Sequence, residues 1–363
     1  MENTGNSFIQ DYVNRMTVRL LSPEVSSKIA AGEVIGRPAS VVKELVENSL
    51  DAQAAKIFVD IKGGGSEYIR VADDATGIAG DEVALALERF ATSKVANVQD
   101  LECISTLGFR GEALPSIAAV AGVSLVTRSK SEEFGTRLDV MDGKIVRKEP
   151  HGAPPGTVVE VRSLFKKFPA RRKFLRTVAT ETSRIQTLVT RYAMAYPQVK
   201  FSLKVEASDV FSSTGSGDLR EVISAVYGLV VARAMLDISD VPSLQGDHLP
   251  RISGMISPPS ISRANRSYMS LFVNRRWVQS RMLTYSLEQA YRDFLMEHRH
   301  PIAVIDIGLK HNEVDVNSHP AKSEVRFIHE NQVFSILQKA VRHTLITHSP
   351  VPEIDVVKVA GRG

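Results

Sequence analysis

Three consecutive glycines, Gly63, Gly64 and Gly65, separate two strand-like runs, "KIFVDIK" and "SEYIRVADD". Both runs are rich in Ile, Val, Phe and Tyr and are bounded by turn residues, which is the pattern of paired strands. A link this short closes a hairpin, whereas parallel strands need a crossover of about a dozen residues or more. The same economy recurs downstream in "AGVSLVTRS", "GTRLDVMDGKIVRKEP" and "GTVVEVRSLF". Helical periodicity is concentrated elsewhere, over residues 38–51, over "DEVALALERFA" and over residues 177–195. Strands therefore follow helices in blocks, and the sequence predicts an α+β sandwich rather than alternating βαβ units.

A chain of 363 residues holds about two domains. The polar stretch "SSTGSGD", residues 212–218, marks the expected boundary. Beyond it come a helix, the strands "RISGMIS" and "YMSLFVN", the helix "TYSLEQAYRDFLME", the strand "PIAVIDIGL" and a helix over 330–347, enough for a smaller α/β domain. The tail "SPVPEIDVVKVAGRG" reads as the start of a linker. No apolar run reaches the roughly 18 residues of a membrane span, and the first fifteen residues have neither the basic nor the apolar part of a secretory signal. The single cysteine, Cys103, excludes an intramolecular disulfide framework and suits a reducing cytoplasm.

The helix expected over 38–51 gathers Glu44, Glu47, Asn48 and Asp51 along one strip, with Val41, Val42, Leu45, Val46 and Leu50 on the opposite arc and Ser49 among them. Taken alone, the strip reads as a solvated face. Yet such faces usually interleave both charges, so an all-acid-and-amide strip also suits a site handling a cation, water or phosphate. "GFRGEALPSIAAVA" sets Gly108 and Gly111 before a helix start, where backbone N–H groups can approach an anion, although an ordinary capped helix start reads the same. "VADDATGI" ends a strand in Asp73, a carboxylate that can accept from an exocyclic amine or simply belong to an Asp-rich turn. "KKFPARRKFLR" is a basic run without an acid, suited to nucleic acid or simply to solvent. Neither a P-loop nor a dinucleotide-binding G-x-G-x-x-G after a strand occurs.

In their order and spacing, "KELVENSLDA", "DDATGI", "ATSKV", "TLGFRGEAL", "GTVVEV", "LFKKFPARRKFL" and "VDVNSHPAKSEVRF" resemble the MutL family of DNA mismatch-repair ATPases, which are members of the GHKL group. The resemblance runs from residue 16 to about residue 347. It implies a Bergerat-type GHKL α/β sandwich over 16–215 and a transducer domain of ribosomal-protein-S5-like type over 216–347. A flexible extension over 1–15 and a linker from 348 to 363 complete the expected order. All nine histidines lie at or after His151, which does not suit a histidine kinase. A type II topoisomerase would share the ATP motifs but not "PARRKFL".

The resemblance also implies roles. Glu44 would be the general base and Asn48 the Mg2+ ligand, while Asp73, Gly77 and Thr157 would take the adenine. Lys94, Gly108, Phe109, Arg110 and Gly111 would surround the phosphates, and Lys322 would reach the γ-phosphate from the second domain. Arg171, Arg172, Lys173, Arg275 and Arg276 would contact DNA. ATP and Mg2+ are thus the expected cofactors. The expected partners are DNA without regard to sequence, a second copy of the chain when ATP is bound, the mismatch-recognition protein MutS, and a downstream nuclease or helicase. A nucleotide-gated clamp with little turnover is the alternative, because Ala75 stands where the family has glycine and would strain a loop of positive φ. Arg275 likewise replaces the glycine of an "NGR" motif.

Overall fold

The structure, a computed structural model, describes residues 34–94, 106–108, 111–238, 249–315 and 325–348. The expected 1–15 extension, Cys103, Phe109, Arg110, Lys322 and the linker after His348 lie outside these residues.

Helix α1 (Pro38–Asp51) starts where a proline at the first turn needs no amide partner. It buries Val41, Val42, Leu45 and Val46 against the sheet. Strands β1 (Lys56–Lys62) and β2 (Tyr68–Asp73) follow as the expected antiparallel pair, with Val59 opposite Val71. Their link is a tight 3-10 turn in which Gly63, Gly64 and Gly65 all have positive φ. A Cβ on Gly64 would sit 2.9 Å from the Val178 carbonyl oxygen, so the triplet is required by space as well as by φ.

The short helix α2 (Ala113–Ala118) precedes β3 (Gly122–Arg128), β4 (Gly135–Met141), β5 (Lys144–His151) and β6 (Gly156–Arg162). After the six-residue helix α3 (Pro169–Phe174) and the long helix α4 (Val178–Ala195) come β7 (Lys200–Val205) and β8 (Ser208–Ser212). These strands form one sheet in the order β5-β4-β3-β6-β2-β1-β7-β8. Only β1 and β7 pair in parallel, and α4 lies in the crossover that such a pair requires. Helices α1 and α4 pack together on one face. The core there contains Ile57, Ile61, Ile69, Ile185, Val189 and Phe201.

"DEVALALERFA" forms turns and a 3-10 segment, Leu85–Leu87, rather than the α-helix its periodicity predicts. Only Val83 is fully buried there, while Leu85 and Phe90 are exposed. A helix without an apolar face to bury gains too little from packing to offset its ordering.

Helices α5 (Leu219–Tyr227) and α6 (Leu229–Ala234) lead into the second sheet. Its strands are β9 (Leu236–Asp237), β10 (Arg251–Ile256), β12 (Met269–Val273), β13 (Arg276–Trp277) and β15 (Ala303–Gly308), in the order β13-β12-β15-β10-β9. Two small ribbons pair β11 (Ser262–Arg263) with β14 (His300–Pro301) and β16 (Val314–Asp315) with β17 (Arg326–Phe327). Helix α7 (Arg281–Ala290) packs on α8 (Glu330–His348), closing a core of Leu283, Leu287, Ile305, Leu337 and Val341. The core of the large sheet continues onto α5 and α6 through Val222, Ile223 and Val231. No described helix is long and apolar enough to cross a membrane.

Candidate functional site

The polar strip of α1 divides into residues that hold the fold and residues that face outward. Glu47 is only 2% exposed and accepts from the Tyr192 hydroxyl of α4 at 2.7 Å and from Lys43 Nζ at 2.9 Å. Burial, followed by the neighbouring Glu47, pushes the Tyr192 phenol well above its ordinary range. Burial works to lower the Lys43 ammonium, but Glu47 and Glu44 outweigh it and the net direction is upward. Glu47 is therefore an anchor between two helices. Glu44 is partly open to solvent and touches Lys43 Nζ at 3.3 Å.

One turn further along, Asn48 and Asp51 converge on Lys94. Lys94 Nζ donates to Asn48 Oδ1 at 2.9 Å and to Asp51 Oδ2 at 2.6 Å. Asp51 also accepts two backbone amides, from Leu107 at 2.8 Å on Oδ1 and from Gly108 at 3.0 Å on Oδ2. Gly108 lies beside the same groups, since a Cβ on it would stand in ordinary contact with Lys94 Nζ at 3.4 Å and Asn48 Oδ1 at 3.7 Å. At the far end of the same glycine motif, Gly111 has φ +61°, and its carbonyl accepts from the Phe90 amide at 3.1 Å. Asn48, Lys94 and Gly108 thus meet in one place, with Asp51 as their common partner. The oxygens of Asn48 and Asp51 already gather one cation, the Lys94 ammonium, so the donor set fits a hard metal ion.

Asp73 closes the end of β2 beside α1. Its Oδ1 accepts the amides of Ala75 and Thr157, each at 3.1 Å, and its Oδ2 accepts the Ser49 hydroxyl at 2.6 Å. Burial raises its pKa despite those three donors. A carboxylate has about four acceptor positions, so one on Oδ2 is left for an incoming N–H. Thr157 faces Asp73 directly in the β2–β6 register, and its hydroxyl meets Thr127 Oγ1 at 3.0 Å. Gly77, with φ +73°, lies so close to β3 that a Cβ would fall 2.0 Å from the Arg128 carbonyl oxygen. Ala75 is buried and stays outside the positive-φ region, so its methyl group brings none of the expected strain.

The basic candidates separate. Arg172 and Lys173 on α3 are exposed, and Arg171 lies 5.4 Å from the Phe168 ring. Arg275 is exposed at the tip of the β12–β13 hairpin. Arg276 differs from these: it is 7% exposed, and its Nη2 donates to the carbonyls of Thr106 at 3.0 Å and Leu107 at 3.1 Å. A guanidinium turned inward in this way is not presented to a DNA backbone, which corrects the expected phosphate contact for Arg276. Lys322, Phe109 and Arg110 lie outside the described residues.

Sequence reasoning gave no role to Ser49 or Thr127, placed Asp51 on the polar strip without assigning it a partner, and read Arg276 as a DNA contact rather than as a donor to Thr106 and Leu107. Ser49 left a signal, being the one polar side chain on an otherwise apolar arc of α1.

Residues 37–162 match the family described as histidine kinase-, DNA gyrase B- and HSP90-like ATPase, and residues 223–346 match the C-terminal domain of DNA mismatch repair protein. MutL of Symbiobacterium thermophilum is 44% identical over 339 residues, covering 93% of this chain and 53% of that protein. MutL of Desulforamulus reducens is 44% identical over 328 residues, covering 90% and 50%. The chain therefore spans about half the length of these relatives. Among solved structures, the N-terminal domain of a DNA repair protein is similar at TM-score 0.75 and 27% identity, over 88% of this chain and 98% of that one. The Aquifex aeolicus MutL ATPase domain complexed with ADP is similar at TM-score 0.57 and 27% identity, over 88% and 100%. Sequence relatives, the two matched families in tandem and the sheet that carries Asp73 beside α1 agree: this chain belongs to the MutL family of DNA mismatch-repair proteins and carries its GHKL ATPase region.

Proposed function

We propose that this chain binds and hydrolyses ATP at the α1–β2 site, and that it serves mismatch repair as a DNA-binding switch which dimerises with nucleotide bound. The observation that carries the nucleotide reading is the remaining acceptor position on Asp73 Oδ2, held in place by Ser49, Ala75 and Thr157. It suits the exocyclic amine of adenine, which guanine lacks at the matching position. Thr157 on β6 bonds Asp73 directly, and Gly77 follows on the loop after β2, so both are assigned to the adenine with it.

Glu44 orients the attacking water and takes its proton on a carboxylate oxygen. Asn48 Oδ1, with Asp51 behind it, is the group that would hold Mg2+, which when bound neutralises phosphate charge. Lys94 and the amides of Gly108 and Gly111 supply positive charge and donors to the phosphates, joined by Phe109, Arg110 and, from the second domain, Lys322. Arg171, Arg172, Lys173 and Arg275 would meet DNA phosphates, which makes binding indifferent to sequence. Family membership alone supports MutS and a downstream nuclease or helicase as partners, and a cytoplasmic setting.

Glu44→Ala separates binding from chemistry. ATP hydrolysis should fall by about 100-fold or more, in keeping with loss of a general base. Binding of a non-hydrolysable analogue, measured by calorimetry, should stay within about threefold of the unsubstituted protein because Asp73 and Asn48 are untouched. Hydrolysis near the original rate would remove Glu44 from the mechanism.

A further inference from the structure

The turn at Thr106–Gly108 is gripped from two sides, and the grip is peptide by peptide. The peptide unit joining Thr106 to Leu107 offers its N–H to Asp51 Oδ1 at 2.8 Å and its C=O to Arg276 Nη2 at 3.0 Å. The next unit, joining Leu107 to Gly108, repeats the pattern: its N–H meets Asp51 Oδ2 at 3.0 Å, and its C=O meets the same Arg276 Nη2 at 3.1 Å. A carboxylate on α1 and a guanidinium on β13 are thus joined through two consecutive peptide planes. We propose that Asp51 and Arg276 form a peptide-mediated ion pair that transmits the state of the nucleotide site to the second domain, with Arg276 acting as a positioning residue.

A peptide unit is planar and rigid, so its N–H and C=O turn together. An anion that draws the Leu107 and Gly108 amides away from Asp51 must also swing their plane-mates, the Thr106 and Leu107 carbonyls, relative to Arg276. Each peptide is also polarised from both ends, by an anion at its donor and a cation at its acceptor, and hydrogen bonds in such a chain reinforce one another. Arg276 is well placed to pass the movement on. It stands in register with Val273 in the hairpin of β12 and β13, and the adjacent Trp277 carries the Arg191 guanidinium of α4 at 3.9 Å from its ring centroid. Its Nη1 is buried without a hydrogen-bond partner among the described residues, so a donor remains for a carbonyl in a rearranged turn.

This inference rests on the proposed ATP site, and the test keeps the two apart. Labels at exposed Ser208 and Glu297, with Cys103→Ser, report the distance between the domains by electron resonance, with and without a non-hydrolysable ATP analogue. Calorimetry on the same samples reports binding. The unsubstituted pair should bind the analogue and change its distance distribution. Asp51→Asn and Arg276→Gln should each lose most of that change, and Arg276→Lys should restore part of it. In analogue affinity the double variant should be no worse than the poorer single, a non-additivity of about fivefold or more. Melting curves establish that each variant is folded, and Arg276→Lys serves if Arg276→Gln is not. Absence of analogue binding in the unsubstituted protein would reject the ATP site itself. Binding without a distance change, a full distance change in folded Arg276→Gln, or additive effects would each overturn the relay.

Discussion

Asp73 illustrates how a single carboxylate is tuned against the stability of its own fold. Burial holds its pKa above the ordinary carboxylate range, although Ser49, Ala75 and Thr157 all donate to it. As pH rises, the unfolded chain therefore releases this proton first. Stability from this group falls as pH climbs from the ordinary carboxylate value through the raised one, and stays lost above it. Asp73→Asn removes that penalty. The amide oxygen can keep the two backbone donors, and the amide nitrogen can donate to Ser49 while the Ser49 hydroxyl keeps the Leu45 carbonyl at 3.1 Å. At pH 7 the variant should be more stable by about 1 kcal/mol or less, with its acid-range slope reduced, yet bind the adenine nucleotide far more weakly. Thermal melting from pH 4 to 8 beside calorimetry reads both effects. Unchanged nucleotide affinity would exclude Asp73 from the base site.

Among elements, the hairpin of β12 and β13 and the basic helix α3 each invite a direct measurement. Asn274 and Arg275 form the two-residue loop of that hairpin and both have positive φ, 49° and 62°. That is the mirror-image turn in which Asn-Gly is preferred. Arg275 keeps a contact with the Tyr196 ring, centroid at 5.6 Å, but holds a conformation that costs a non-glycine residue about 1 kcal/mol. Arg275→Gly should therefore stabilise the chain by roughly 0.5 kcal/mol in denaturant melts, while lowering DNA affinity if Arg275 meets phosphate. On α3, replacing Arg171, Arg172 and Lys173 together with glutamate should flatten the plot of log affinity against log salt. The expected change is about 0.9 for each duplex phosphate that the variant no longer neutralises. An unaltered slope would leave α3 as a solvated face.

For the whole molecule, the consequential feature is that the two sheets share apolar core and are tied polar group to polar group beside the proposed nucleotide site. A ligand shifts such an arrangement only by its differential affinity for the alternatives. ATP and ADP differ in the γ-phosphate, so the analogue rather than ADP should favour the associated form. Light scattering should give a doubled mass with saturating analogue and a monomer with ADP or without nucleotide. A monomer at saturating analogue, with binding confirmed, would remove dimerisation from the proposed switch.

Local rules determined much of this protein from sequence alone. The Gly63–Gly65 hairpin, the proline-initiated α1 and the alternating strands rest on short-range sterics and periodicity, and the structure follows them nearly residue for residue. Motif order was likewise legible, because the spacing of Glu44, Asn48, Asp73 and Gly77 is written in the chain. Tertiary structure decided what depends on a partner far along the sequence. Period alone cannot say that Glu47 is buried beneath Tyr192 while Glu44, three residues before it on the same helix, stays partly open. Nor can it distinguish Arg275, facing solvent, from Arg276, turned onto Thr106 and Leu107. Arg275 lies in the turn and Arg276 opens β13, and which of the two meets the other domain is set by packing across 169 positions of sequence, not by the residues themselves.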